Sequence, residues 1–294
     1  MQPYSPEGIF VSPPTAEALR RGQSTQEIFR AMCVKCDEYH NLHVDLGDIR
    51  GIIPREEAAA GIQEGSLQEY ALLSRVGKPV CFQVLGFDSG GTAILSRRAA
   101  QLDARSFFLS TLSPGDILPA VVVSTAGFGL FCDIGCGYTA LMPIQRCCIS
   151  RLRTASEHFH PGQPIRAAVL EIQDTLGRIV LTGRELLGTW SENAEKYRQG
   201  QTVPGIVRSV MPYGIFVELT PNLSGLAEPF PGISVGDHVS VFLRAILEEK
   251  HKIKMNILER LPAPVPPQPL EYYITSGHIN RWDYFPGSRA STVF

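Results

Sequence analysis

The sequence predicts an all-β protein of three tandem five-stranded barrels, with short helical connectors and an extended aromatic C-terminal segment. Two observations carry that prediction, and a third extends it. One pattern is written twice between residues 115 and 258. The first copy opens on Gly115-Asp116, passes through Phe128-Gly129-Leu130-Phe131 and closes on Arg178-Ile179-Val180-Leu181-Thr182. The second opens on Gly200-Gln201, passes through Tyr213-Gly214-Ile215-Phe216 and closes on Lys252-Ile253-Lys254-Met255. The starts lie about 85 residues apart, longer than a solenoid repeat and right for two complete small domains. Each copy also has strand grammar: alternating runs bounded by Gly and Pro turns. A divergent third copy lies upstream, where Leu42 to Gly47 aligns with Leu130 to Gly135.

Taken in order, residues 1–24 form a Pro-rich, polar extension. Residues 25–98 are the divergent first repeat, with Gly51-Ile52-Ile53-Pro54 as third strand and Thr92 to Ser96 as fifth. Residues 99–111 read as a helical connector stopped by Pro114-Gly115. In the second repeat, 112–187, the runs 120–123 and 130–134 meet at a Gly turn, which signals a hairpin. Ala140-Leu141-Met142 is a short third strand, and Pro161-Gly162 opens the last pair. Residues 188–199 form a Trp-containing connector, and 200–258 repeat the scheme. Three strands, an irregular crossover and two more strands match the OB barrel. Residues 259–294 hold a Pro-rich spacer, expected to run extended, and an aromatic segment around Trp282 and Tyr284. That segment is too aromatic for a disordered tail and is expected to fold back or to dock on a partner.

Gly-Asp, then aromatic-Gly-x-Phe, a short Gly-Leu-like strand, Val-Gly-Asp and a closing Arg-Ile-x-Leu-Thr resemble the S-one RNA-binding domain. This is the repeat of the largest small-subunit ribosomal protein. The resemblance spans all three repeats, and the Gly-Ile-Ile-Pro stretch before Glu56 and Glu57 is similar to repeats that serve for docking. It implies single-stranded RNA as ligand. It also implies, as partner, the small ribosomal subunit or another translation or RNA-decay protein. For the site it implies an aromatic pair, Phe128 with Phe131 and Tyr213 with Phe216, on one barrel face. A bulge beside the turn Gly is expected to bring residues three apart onto that face. Asp174 and Arg178 flank the final turn in the second repeat, and Lys252 stands there in the third. The first repeat has His40 and His43 at the aromatic positions. Where the family's third strand carries a His, this chain has Pro143 and Glu228, and Glu228 is expected to repel phosphate.

The chain has 294 residues, 44% hydrophobic and 19% charged, with a formal charge of −2, so it lacks a global basic footprint. Stacking on aromatic faces contributes about 1–3 kcal/mol per base whatever the net charge. Seven Cys, two of them adjacent, fit reduced thiols in a cytoplasmic protein better than a disulfide framework. Residues 1–23 have no apolar signal region, and no apolar run is long enough to span a membrane. Cys33, Cys36, His40 and His43 are four zinc-type ligands in eleven residues. Cys33 and Cys36 share one strand at a spacing that points them apart, so no metal is expected. Neither a nucleophile elbow nor a phosphate-cradling Gly motif occurs, no cofactor is expected, and His158 and His160 read as solvated loop residues. A non-catalytic RNA binder is the leading reading. A protein-docking scaffold whose barrels have lost RNA affinity, or an accessory subunit of an RNA-degrading complex, are the alternatives.

Overall fold

The structure is a computed structural model describing residues 4–8, 12–63, 65, 70–262 and 270–294. It contains three closed barrels of identical strand order. The first uses β1 (Phe29–Cys36), β2 (Leu42–Asp45), β3 (Arg50–Ile53), β4 (Lys78–Phe87) and β5 (Ala93–Ser96). The second uses β6 (Ile117–Ala126), β7 (Gly129–Gly135), β8 (Tyr138–Pro143), β9 (Pro164–Gln173) and β10 (Arg178–Thr182). The third uses β11 (Thr202–Met211), β12 (Gly214–Thr220), β13 (Leu223–Ala227), β14 (His238–Leu247) and β15 (Lys252–Arg260). In each, the third and fifth strands pair parallel and close the sheet: Gly51 with Ala93, Leu141 with Val180, Leu226 with Lys254. Alternation fills the interiors, as along β6, where Leu118, Ala120 and Val122 point inward.

The helix Arg97–Thr111 joins the first two barrels. Ser96 caps it, its Oγ accepting from the Ala99 N–H (2.8 Å). Ala100, Ala104 and Phe108, four apart, lie on one stripe and pack into the second barrel's core. The helix therefore acts as a plug under that barrel. The helix Trp190–Ala194 joins the second and third barrels with a full capping box at Thr189 and Glu192.

Both junctions contain buried ions. Residues 4–8 run between the first two barrels, and Glu7 is only 5% exposed. Its carboxylate accepts from Arg97 Nε and Nη2 (2.7 Å each) and from the Cys81 N–H (3.0 Å). Its own N–H donates to Asp133 Oδ2 (2.6 Å). Burial raises the Glu7 carboxyl, but Arg97 more than offsets this and holds it below the ordinary range. Burial first, and the charge of Glu7 second, push Asp133 up to about 7.

At the second junction Arg208 Nε and Nη2 donate to Glu218 (2.7 and 3.0 Å), and the same guanidinium meets Glu157. His158 Nε2 sits 2.8 Å from Glu218, its side chain only 4% exposed. This corrects the expectation of a solvated loop His: the loop carrying His158 is covered by the third barrel. Burial raises Glu218, yet His158 and Arg208 hold it below the usual carboxylate range.

Of the two expectations for the aromatic segment, folding back is the one observed. Ile279, Trp282 and Tyr284 join the third barrel's core cluster, and the Tyr284 carbonyl accepts from the Trp190 N–H (3.0 Å). Gly115 and Ile117 of the second barrel exchange backbone bonds with Ile279 and Gly277, so the segment staples the two barrels together. The expected extended spacer falls on residues 263–269, outside the described residues. Among the described residues no helix is long and apolar enough to cross a membrane.

Candidate nucleic-acid interface

Phe128 occupies the two-residue turn between β6 and β7, and Phe131 is the third residue of β7. Strand alternation therefore never applied to Phe128. Phe128 is 59% exposed and Phe131 half-buried, with ring centroids 5.9 Å apart and planes at 89°. Tyr213 and Phe216 repeat the arrangement at 6.4 Å and 88°, with Tyr213 66% exposed. Each pair offers one ring face to solvent, buttressed edge-on by the other ring.

The bulge lies elsewhere than expected. It is in the preceding strand, at Val123 between Val122 and Ser124, and at Arg208 between Val207 and Ser209. The turn glycines serve close approach instead. A Cβ on Gly129 would stand 2.2 Å from the Met142 carbonyl oxygen, and one on Gly214 2.6 Å from that of Ala227. Glycine lets the third strand reach the hairpin end, and so seats the aromatic turn against the barrel wall.

Strand register extends the platform sideways. Phe131 pairs with Leu141, and Leu141 with Val180, all three on the outer face. Two residues from Val180 on that same face stands Arg178, exposed and without an ion pair to a described side chain. Asp174 opens the turn before β10, but its side chain lies outside the described residues. In the third barrel the row is Phe216, Leu226 and Lys254, with Lys252 beyond. Both lysines are exposed. Lys254 escaped the sequence reading, although alternation from Lys252 places it on the same face. Glu228 is not a bare negative charge, because Arg244 Nη1 donates to it at 2.6 Å. Pro143 pairs with Gly129, under the turn.

The first barrel has the same bulge, at Val34, but a different face. Its row is His43, Ile52 and Ile94, and His43 Nε2 is held 3.0 Å from Asp37. Asp37 is lowered to about 2: desolvation, the largest single influence, raises it, and the bonds from His43, Asn41 and the Tyr39 N–H together outweigh that. Cys33 is buried in the core, and among the described residues no three His, Cys, Asp or Glu side chains gather as metal ligands.

Residues 111–184, the middle barrel, match the family model of the S1 RNA binding domain. The chain carries an S1 domain. The S1 domain of the middle barrel shares its strand order and bulge position with the barrels on either side. Among curated proteins, the chain is similar to the small ribosomal subunit protein bS1 homolog of Bacillus subtilis. Identity is 30% over 249 residues, covering 83% of this chain and 62% of that protein. With the small ribosomal subunit protein bS1 of Neisseria meningitidis serogroup B it shares 28% identity over 200 residues. That match covers 62% of this chain and 35% of the relative. The chain thus spans less than two thirds of either relative. A crystal structure of a multidomain protein with nucleic acid binding domains from Streptococcus pneumoniae aligns over 79% of this chain and 73% of its own. Its identity is 15% and its TM-score 0.26.

Proposed function

We propose that the second and third barrels bind single-stranded RNA on their outer faces and that the protein acts, without catalysis, in translation in the cytoplasm. The observation that carries this is the twofold occurrence of one exposed arrangement. An aromatic pair and an outward apolar residue lead to a cation: Phe128, Phe131, Leu141 and Arg178, then Tyr213, Phe216, Leu226 and Lys254. Exposed rings accept any base by stacking, and cations two strands away suit the backbone phosphates. Arg178 can grip a phosphate with two parallel bonds, whereas Lys252 and Lys254 act as point charges. The small ribosomal subunit is the partner that the two bS1 relatives suggest.

Fluorescence anisotropy with a short single-stranded RNA, the same DNA and an RNA duplex tests the reading. Saturable binding of the single strands with the duplex excluded is expected; absence of binding at low salt would overturn it. A protein-docking role gains support from the first barrel, whose corresponding row is His43, Ile52 and Ile94, with no Lys or Arg among them. Service in an RNA-degrading complex would use the same two faces.

A further inference from the structure

Strand register lets two positions on the outer face be compared across the three barrels. The residue two beyond the third-strand member of each row is Pro54 in the first barrel, Pro143 in the second and Glu228 in the third. The fourth strand bulges beside the fifth-strand member of the row, and the bulge residue is Leu85, Leu170 and Arg244 in turn. Two barrels thus carry a proline and a leucine where the third carries an acid and an arginine. The fold does not require either charge, since all three barrels close in the same strand order.

In the third barrel the two charges are joined: Arg244 Nη1 donates to Glu228 Oε1 at 2.6 Å, with the side chains 48% and 61% exposed. β13 and β14 lie on either side of β15, which meets them at Leu226–Lys254 and Ala245–Lys254. Strands two apart are separated by about 9.5 Å, so the bond must pass over the outer face of β15. It crosses beside Lys254, on the row that starts from Phe216 and Leu226. The bulge is what turns Arg244 outward, next to the buried Leu243. A pair this exposed is weakly held, and a guanidinium bound through Nη1 keeps further N–H groups to donate.

We propose that Arg244 is a phosphate-binding residue of the third barrel and that Glu228 is its internal competitor, an anion that a backbone phosphate of the RNA displaces. The proposal rests on the RNA-binding reading above. Phosphate fits the position because it can take a guanidinium by two parallel bonds, and because Lys254 on the same row supplies a second cation. Exchange replaces one anion by another at Arg244 and returns the Glu228 carboxylate to water. Since Glu228 already neutralises Arg244, the third barrel binds more weakly than its cations alone would allow and releases one counterion fewer. The second barrel, with Pro143 and Leu170 at these positions, has no such competitor.

Anisotropy titrations of one short single-stranded RNA with the wild type, Glu228→Gln, Arg244→Ala and the double variant test this, with melting temperatures to show that all four fold alike. Glu228→Gln should tighten binding about two- to fivefold, the range that breaking a weak exposed pair implies, and should steepen the salt slope by about 0.7. Arg244→Ala should weaken binding by a larger factor in the Glu228→Gln background than in the wild type, and the double variant should return to the wild-type slope. An acid that merely repels RNA from a distance gives Arg244→Ala the same factor in both backgrounds, which would overturn the proposal. So would a Glu228→Gln variant that binds like the wild type. Tyr213→Ala separates this from the broader reading. If it weakens binding while Glu228→Gln changes nothing, the RNA face stands and only the competitor falls; a wild type that binds no single strand at low salt removes both.

Discussion

Replacing Arg208 by Ala should destabilise the junction between the second and third barrels without touching RNA affinity. Arg208 is 7% exposed and sends two bonds, 2.7 and 3.0 Å, to Glu218, whose side chain is 3% exposed. Removing it leaves a buried carboxylate with His158 as its remaining partner. Breaking a buried pair from one side costs about 3–5 kcal/mol, and because His158 stays within 2.8 Å the lower end is expected. Urea unfolding reads this either as a lower midpoint at constant slope or as a separate early transition of the third barrel. Replacing both partners, Arg208→Met with Glu218→Met, should recover part of the stability, since the Glu218 charge is no longer stranded and Glu157 keeps Arg153 at 3.3 Å, while His158 loses its carboxylate. A destabilisation below about 1 kcal/mol, the range of exposed pairs, would refute the view that this network locks the barrels. The same variant bears on RNA: Arg208 counts among the chain's arginines but is spent on carboxylates, so its removal should leave the salt dependence of binding unchanged.

Phe128→Ala with Phe131→Ala should weaken single-stranded RNA binding by about 2–4 kcal/mol, given about 1–3 per stacked base and imperfect additivity; an unchanged Kd in a folded double variant would remove this platform. Binding should be only shallowly salt-dependent, with a slope of about −1.5 to −3, and Lys252→Ala with Lys254→Ala should reduce its magnitude by about 0.7 for each phosphate no longer neutralised. The stability that Glu7 and Glu218 give the junctions is fully present above the ordinary carboxylate pKa and is lost as pH falls through their lowered values. Asp133 runs the other way: its folded value of about 7 lies above the ordinary value of 3.8, so stability declines as pH rises between the two. Melting temperatures from pH 3 to 8, on the order of the carboxylate range and above, check both signs, and Asp133→Asn should flatten the decline.

The barrels were legible because strand alternation and Gly turns are local signals, and the internal repeat supplied three readings of one pattern. Phe128, Phe131, Tyr213 and Phe216 were legible for the same reason. The bulge was misplaced because it shows only in pairing: Val123 and Arg208 look like ordinary strand residues until Ser124 and Ser209 are found opposite Phe131 and Phe216. His158 was misread because its burial comes from another barrel about 50 residues away, and no local pattern records that. Lys254 could have been found by carrying alternation through β15, as Lys252, Lys254 and the inward Ile253 and Met255 permit. Glu7 gave no signal at all, since a lone acid in a Pro-rich extension looks solvated until Arg97 is folded against it.

One edge in three sequence contexts explains how a repeated barrel diverges in role. The bulge residue sits against the preceding barrel, so it answers to that neighbour and not to the proposed RNA face. At Arg208 the neighbour is acidic, and at Val123 it is apolar. The outer row can therefore change independently, and in the first barrel it has done so: His43, tied to Asp37, replaces the second ring, and Ile94 stands where the third barrel has Lys254. A row of one His and two Ile offers little to phosphate. The first barrel thus lacks, in this row, the cation that Arg178 and Lys254 supply on the outer faces of the other two.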